Sequence, residues 1–235
     1  MDRNLDWPGC LNARDLGGLP TADGRVTRWG AVVRSDNPAH LTPAGWAALH
    51  AHGIRTVVAL RTEGTNDDEP DLGAVPDGVA FERVFVEDLG DPIFVERCVD
   101  SGLWCTPIHF GLMLAGWPDR CAAAVRAVAL APPGGAVISC GVGRDRTGLL
   151  AMLLLAVVGV PVADIAADWT ISIERLRPRE PDFEDTLQGL LDRERTTVYA
   201  SIAAALGHGD VATRLRAGGL TDAELDAVRS RLRDP

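Results

Sequence analysis

The sequence predicts an α/β fold in which a central, mostly parallel sheet is flanked by helices. Apolar, β-branched runs alternate with helical patterns over much of the chain, which is typical of strands joined by helical crossovers. An apolar run at 136–138 leads through a glycine-containing loop into a second apolar run, Leu149–Val158, as expected of a buried strand followed by a buried helix. Beyond residue 175 the patterns are helical only, which predicts a helical C-terminal region.

The composition is that of a folded globular protein. The 235 residues are 46% hydrophobic and 24% charged, which allows a sizeable core. We expect a single domain over residues 1–235, with a core over about 10–175 and a helical C-terminal extension over about 176–235. The net charge of −10 argues against nucleic acid as a partner. All 23 basic residues are arginines, so a basic side chain that binds phosphate must be arginine or histidine.

Three features of the sequence predict the cellular compartment of the protein. Residues 1–8 lack the apolar centre of a signal peptide. The run Leu149–Val158 is too short to span a bilayer, so we expect no integral membrane segment. Five irregularly spaced cysteines fit reduced thiols better than a disulfide framework. A cytoplasmic protein is therefore expected, although secretion without a signal stays open, and the sequence gives no oligomeric state.

The remaining elements follow in chain order. Apolar runs predict strands at 29–35, 54–60, 80–86 and 136–138. Thr42 is the predicted N-cap, and Pro43 the first-turn proline, of a helix that ends before Gly53. Helical periodicity predicts further helices at 119–130, 149–158, 162–173, 182–193, 197–206 and 221–232. The last of these begins with a capping box formed by Thr221 and Glu224.

Two regions carry weaker signals. The acidic run at 66–71 is expected to be a solvated loop. Residues 92–117 are interrupted by glycine and proline, so no element can be assigned there, although a lid or a helical insertion over the site is one interpretation. Cys98, Cys105 and His109 lie in this second region, but their uneven spacing favours buried thiols and a satisfied histidine over a metal site.

The loop between the strand at 136–138 and the helix that follows it is the candidate for chemistry. Its two glycines let backbone amides turn inward around an anion, and the N-terminus of the following helix favours a phosphate dianion. The same field favours a thiolate at Cys140, which makes this cysteine a nucleophile. Arg146 can hold two phosphate oxygens through its planar guanidinium. The predicted phosphate-binding residues are Gly141, Val142, Gly143, Arg144, Asp145, Arg146 and Thr147.

This pattern, Cys-x5-Arg followed by threonine, resembles the signature loop of the cysteine-based protein-tyrosine phosphatases. The string C-G-V-G-R-D-R-T-G resembles most the bacterial branch related to secreted mycobacterial tyrosine/lipid phosphatases, and the upstream N-x-R-D-L-G-G at 12–18 supports the same branch. The resemblance implies the tyrosine-phosphatase fold and a phosphocysteine intermediate. It also implies a phosphorylated protein or small phosphomonoester as substrate, with dual-specificity or phosphoinositide activity as a wider range. No cofactor or metal is implied.

The sequence departs from the branch at three positions. Ser139 stands where the branch has histidine, which removes a group that helps to hold the thiolate. Ala59 stands where the branch has the aspartate of D-L-R. Arg144 replaces lysine and keeps the charge, and it is a candidate contact for a second phosphate. The first two departures favour an alternative, a catalytically impaired phosphate-binding module. A rhodanese-type sulfur carrier and a thiol redox sensor are weaker alternatives.

The chemistry also needs a carboxylic acid to protonate the leaving oxygen and later to activate water. Asp88, after the strand at 80–86, matches the branch's loop aspartate and is the first candidate, and Asp145 within the loop is the second. A buried Arg14 paired with Asp15 is expected to brace the floor of the site. The supporting residues expected around the loop are Ser139, Asn12, Arg14, Asp15 and Arg61.

Overall fold

Five strands form one sheet among the residues that this computed structural model describes, which are 2–65, 75–207 and 210–233. The strands are β1 (Arg14–Asp15), β2 (Val32–Ser35), β3 (Ile54–Glu63), β4 (Ala80–Asp88) and β5 (Gly135–Ser139). The helices are α1 (Pro43–Ala51), α2 (Pro92–Phe94), α3 (His109–Gly116), α4 (Pro118–Ala129), α5 (Arg146–Val157), α6 (Val162–Leu176), α7 (Phe183–Arg193), α8 (Val198–Gly207), α9 (Val211–Ala217) and α10 (Asp222–Leu232). A 3₁₀ turn at Pro38–His40 and a π-helical segment at Val95–Asp100 also occur.

The strand order, β1-β2-β5-β3-β4, places β5 at the centre of the sheet. The pairs β2–β5, β5–β3 and β3–β4 are parallel, whereas the short β1 pairs with β2 in the antiparallel direction. A central parallel strand is covered on both faces, which explains why Ala136–Ile138 is continuously apolar. The predicted α/β class with a mostly parallel sheet is confirmed. The loop that begins with Cys140 therefore leaves the carboxyl end of the central strand, where α/β sheets bind ligands.

Helices cover both faces of the sheet. On one face α5 lies in the larger core and is buried along nearly its whole length, as its apolar run predicts. On the other face Trp46 and Leu49 of α1 are buried in the smaller core together with Val137 of β5. Thr42 caps α1 by accepting a hydrogen bond from the amide of Gly45 at 3.2 Å, as predicted. No helix within the described ranges is both long and apolar enough to cross a membrane.

Several predicted boundaries change in the structure. β2 begins only at Val32, because Gly30 turns the chain with a φ of +69° just before it. The region without an assignment, 92–117, contains α2, the π-helical segment and α3. α9 was not predicted, since a helix of seven residues is too short for a periodic pattern to be recognised. The acidic run at 66–71 lies outside the described residues.

The C-terminal helices pack into the same core as the sheet. Leu225, Val228 and Leu232 of α10 are buried in the cluster that also contains α4 and α5. The predicted capping box of α10 is present, with both reciprocal hydrogen bonds. The carbonyl of Leu232 accepts a hydrogen bond from the amide of Arg28 at 2.8 Å, which connects the end of α10 to the segment leading into β2.

Candidate active site

The loop from Cys140 to Asp145 connects the end of β5 with the beginning of α5. Cys140 is only 2% exposed and belongs to the larger core cluster. Asp145 occupies the N-cap position of α5, but its carboxylate makes no capping bond to the helix. The first-turn amides of a helix have no intrahelical acceptor and carry the positive end of its dipole. The loop therefore lies where a phosphate dianion is favoured.

Three successive carbonyls of the loop are held by donors from the N-terminal part of the chain. The pairs are Asn37 N–H to Gly141 O at 3.2 Å, Asn12 Nδ2 to Val142 O at 3.0 Å, and Arg34 Nη2 to Gly143 O at 2.7 Å. In a trans peptide the N–H points opposite to the C=O. The amides of residues 142, 143 and 144 are therefore turned away from these donors, which is the arrangement that an anion cradle requires.

Gly143 is required by the shape of this cradle. Its φ of +70° is a conformation that other residues rarely adopt. A Cβ built on Gly143 would also lie 2.4 Å from the carbonyl oxygen of Ser35 and 2.5 Å from the amide of Asp36, both of them backbone atoms. The loop and the end of β2 therefore approach each other at a distance that only glycine allows.

Arg146, the first residue of α5, is held by a buried carboxylate that the sequence did not single out. Arg146 Nη1 donates to Leu60 O at 3.3 Å, and its Nε lies 3.8 Å from Glu87 Oε2. Glu87 also accepts a hydrogen bond from Thr62 Oγ1 at 2.7 Å and lies 3.2 Å from Nε2 of His109. Burial alone would raise the pKa of Glu87, but His109, Thr62 and Arg146 together lower it. Glu87 is thus an ionised partner for Arg146.

His109 is the satisfied, buried histidine that the sequence analysis favoured. Its Nδ1 lies 3.0 Å from the carbonyl of Thr106, so both ring nitrogens face acceptors. Burial alone would lower the pKa of His109, but the hydrogen bond to Glu87 and its charge outweigh burial and raise it. No cluster of three metal-ligating side chains occurs within the part of the chain that the structure describes.

Asp145 and Arg144 form a buried ion pair inside the loop. The guanidinium of Arg144 donates from Nε and Nη2 to the two carboxylate oxygens of Asp145, each at 3.2 Å. It also binds Glu180 and lies 3.3 Å from the centroid of the Phe183 ring at the start of α7. Burial raises the pKa of Asp145, although Arg144 opposes this. Arg144 therefore fastens the loop to α7, and these contacts do not support the predicted contact with a second phosphate.

Asp88 lies at the end of β4 and is partly exposed. Its carboxylate accepts a hydrogen bond from the amide of Gly90 at 2.7 Å and one from Arg120 at 3.1 Å. Neither partner belongs to the Cys140 loop. Of the two aspartates that the sequence offered as the acid, Asp145 is the one inside the loop.

The expected pair of Arg14 with Asp15 is wrong. Successive residues of a strand point to opposite faces, and Arg14 instead binds Asp168 of α6 at 3.0 Å. The carboxylate of Asp15 accepts hydrogen bonds from the backbone amides of Gly17 and Gly30, both at 2.8 Å. Arg14 is nevertheless fully buried beneath the loop, and its Nη1 donates to Asn12 Oδ1 at 2.6 Å. Arg14 thus reaches the loop through Asn12, whose Nδ2 donates to Val142 O, whereas the partners of Asp15 lie outside the loop.

Three other predicted residues surround the loop. Arg61 is buried in β3, directly after the Leu60 whose carbonyl binds Arg146. Ser139 pairs in register with Ala59, so the two departures from the bacterial branch are neighbours on adjacent strands. The hydroxyls of Ser139 and Thr147 are buried and have no hydrogen-bond partner among the described residues.

The four other cysteines are poor competitors for Cys140. Burial raises the pKa of Cys10 and Cys121 to about 12 and that of Cys98 to about 11. Burial and then the charges of Asp145 and Glu87 also raise the pKa of Cys105. These thiols stay protonated near neutral pH and are weak nucleophiles.

Comparison with known proteins gives a consistent result. The model of a family described as "Tyrosine phosphatase family" matches residues 5–234. A protein of Cupriavidus necator named "Putative tyrosine-protein phosphatase" is 35% identical over 178 residues, which cover 73% of this chain and 64% of that protein. A "Tyrosine-protein phosphatase" of Nostoc commune is 25% identical over 222 residues, which cover 86% of this chain and 74% of that protein. The chain thus spans somewhat less than two thirds of the Cupriavidus protein.

Proposed function

This chain belongs to the tyrosine phosphatase family, and on that premise we propose that it hydrolyses phosphomonoesters through a phosphocysteine intermediate at Cys140. The substrate class that we propose is an aryl phosphate, phosphotyrosine in a protein. The observation that carries the proposal is the geometry of the loop. Cys140 lies at the carboxyl end of the central strand. The carbonyls of Val142 and Gly143 are held by hydrogen bonds on one side of the loop, so the amides that follow them face the other side. Arg146 is oriented by the buried carboxylate of Glu87.

The reaction has two steps. The thiolate of Cys140 attacks phosphorus in line, and the bond from phosphorus to the ester oxygen breaks as the bond from sulfur to phosphorus forms. The loop amides and Arg146 hold the charge on the three equatorial oxygens. Water then attacks phosphorus, which releases inorganic phosphate and restores the thiolate. A carboxylic acid donates a proton to the leaving oxygen in the first step and accepts one from water in the second.

We assign the acid role to Asp145. A general acid must still be protonated at the working pH, and burial moves the pKa of Asp145 in that direction. Asp145 also lies within the loop, whereas Asp88 and its hydrogen-bond partners, Arg120 and Gly90, lie outside it. Activity should therefore fall as the pH rises through the raised pKa of Asp145.

The test is hydrolysis of p-nitrophenyl phosphate and of a phosphotyrosine peptide as a function of pH. Cys140→Ser should abolish turnover. Asp145→Asn should lower kcat by about 10²-fold or more and remove the decline in activity at high pH. Asp88→Asn should keep the wild-type kcat and the decline at high pH. Loss of the high-pH decline in Asp88→Asn, with Asp145→Asn retaining it, would return the acid role to Asp88. Turnover that survives in Cys140→Ser would contradict the phosphocysteine.

A second candidate function is phosphate binding without chemistry. It is favoured by the pairing of Ser139 with Ala59, because the histidine and the aspartate that the bacterial branch has at these two neighbouring positions are both replaced by residues that do not ionise. The same assay separates the two functions. A protein that binds inorganic phosphate but does not hydrolyse either substrate at any pH is a binding module.

A further inference from the structure

Asp168, on α6, is a buried carboxylate shared by three arginines. The contacts are Arg3 Nη2 at 2.9 Å, Arg14 Nε at 3.0 Å and Arg34 Nη1 at 2.6 Å. Three guanidinium groups against one carboxylate leave a surplus of two positive charges in this group. Arg14 and Arg34 are buried, whereas Arg3 is 18% exposed. Buried charge without a partner is costly, and the two buried arginines lead by hydrogen bonds to the Cys140 loop.

Two chains of hydrogen bonds lead from Asp168 to consecutive carbonyls of the loop. In the first chain Arg34 binds Asp168 through Nη1 and donates to Gly143 O through Nη2 at 2.7 Å. The second chain runs from Asp168 to Arg14 at 3.0 Å, from Arg14 to Asn12 Oδ1 at 2.6 Å, and from Asn12 Nδ2 to Val142 O at 3.0 Å. Ser172 Oγ, one turn further along α6, accepts from Arg14 at 2.9 Å and from Arg34 at 3.3 Å.

We propose that Asp168 and Arg34 are positioning residues for phosphate binding, which hold the carbonyls of Val142 and Gly143 away from the anion so that the amides that follow them face it. The hydrogen bond from Arg34 to Gly143 O is charge-assisted. It polarises that peptide and strengthens the N–H of Arg144 as a donor. The surplus charge adds attraction for a dianion. This role rests on the proposed function, because it assumes that the loop binds phosphate.

The experiment measures inorganic phosphate binding by calorimetry in the Cys140→Ser background, so that binding is measured without turnover. Arg34→Lys keeps the charge, but a lysine ammonium is a single point that cannot bridge Asp168 and Gly143 O as a guanidinium does. We expect phosphate affinity to fall about tenfold or more. The same substitution with Cys140 intact should lower kcat/KM to a similar extent.

Arg231→Lys is the matched control. Arg231 also donates to backbone carbonyls, including that of Gly134 at 2.7 Å, but it does so beside the opposite end of β5. It should affect the melting temperature and leave phosphate affinity within about twofold of the background protein. Phosphate affinity in Arg34→Lys within twofold of its parent would overturn the proposal, whatever happens to the melting temperature, because a purely structural role predicts that result.

Asn12→Ala tests the second chain without breaking an ion pair, and it applies even if Arg34→Lys does not fold. It should weaken phosphate binding by about threefold or more, and unchanged affinity would contradict the proposal. If the Cys140→Ser protein binds no phosphate at all, this proposal and the cradle both fail. Phosphate binding by an unmutated protein that shows no turnover would contradict only the proposed reaction.

Discussion

At the scale of single residues, the position of Arg146 depends on a buried group of alternating charges. Glu87 lies between Arg146, 3.8 Å away, and His109, 3.2 Å away. A buried carboxylate is stable only when it is paired and hydrogen-bonded, and Thr62 supplies a further donor. The raised pKa of His109 keeps the imidazole protonated to a higher pH than an exposed histidine. The charge of His109 therefore supports the carboxylate that orients Arg146.

His109→Gln should test this arrangement through the pH dependence of stability. Because its folded-state pKa is raised, protonated His109 contributes stability that is fully present below the unfolded value of about 6.5 and is lost as the pH rises through the folded value. We expect the variant to be less stable than the wild type by about 1–3 kcal/mol at acidic pH. The difference should shrink towards pH 9, as measured by urea denaturation at several pH values.

His40→Gln is the control for this prediction, since His40 is exposed on the 3₁₀ turn. It should leave stability unchanged at every pH. A constant difference in stability between wild type and His109→Gln from pH 5.5 to pH 9 would show that folding does not shift the pKa of His109, and it would contradict the pairing with Glu87.

At the scale of elements, the unit of β5, loop and α5 is rigid because the loop is packed against the end of β2. A Cβ on Gly143 would collide with backbone atoms of Ser35 and Asp36. Because these atoms belong to the backbone, the collision cannot be relieved by the rotation of a side chain. The positive φ of Gly143 is a second requirement, which is independent of the close approach. The two requirements can be separated by comparison with another glycine.

Gly143→Ala should reduce kcat/KM by about 10²-fold or more, because displacement of the loop by about 1 Å misplaces the phosphate. Gly24 is the matched control, since its φ of +81° is similar but a Cβ there meets nothing within 4 Å. Gly24→Ala should cost about 1–2 kcal/mol of stability from backbone strain alone and leave kcat/KM unchanged. Steady-state kinetics with melting curves measure both effects, and near-wild-type activity in Gly143→Ala would refute the packing argument.

The sequence could predict those parts of the site whose residues are close together in the chain, but not those that depend on contacts between distant positions. Cys140, Gly143 and Arg146 lie in one short segment between an apolar strand and an apolar helix, so a local pattern identifies them. The partner of Arg14 lies 154 positions away, and a single sequence carries no signal for such a pair. Glu87 was missed for a different reason. The register of β3 and β4 shifts between Arg61 and Thr62, which buries both Val86 and Glu87 and breaks the expected alternation.

At the scale of the whole molecule, the site is held by segments from both ends of the chain. Arg3 and Arg14 from the N-terminal part meet Asp168 of α6 beneath the loop. α7 meets the loop through Phe183 and Arg144. The division into a core over about 10–175 and a helical extension over about 176–235 stays a prediction, but the contact of Phe183 with Arg144 argues that the extension is needed for a folded site.

A truncated chain that ends at residue 209 tests this dependence. It would remove Val211, Leu215 and the buried face of α10 from the core that surrounds α4 and α5, although it removes no residue of the Cys140 loop. Each large buried side chain that is lost costs about 2–5 kcal/mol, and a domain of this size has about 5–15 kcal/mol in total. We therefore expect no cooperative unfolding transition and no turnover, as measured by calorimetry and p-nitrophenyl phosphate hydrolysis.

Thr221→Ala is the control, because it removes the N-cap of α10 while the buried face of that helix stays in place. Loss of a cap costs about 1 kcal/mol, so this variant should melt a few degrees lower and keep its activity. A truncated chain that melts cooperatively and turns over substrate like the wild type would show that the C-terminal helices are a separate appendage. Cooperative melting without turnover would mean instead that the residues after 209 are needed to position the loop rather than to fold the sheet.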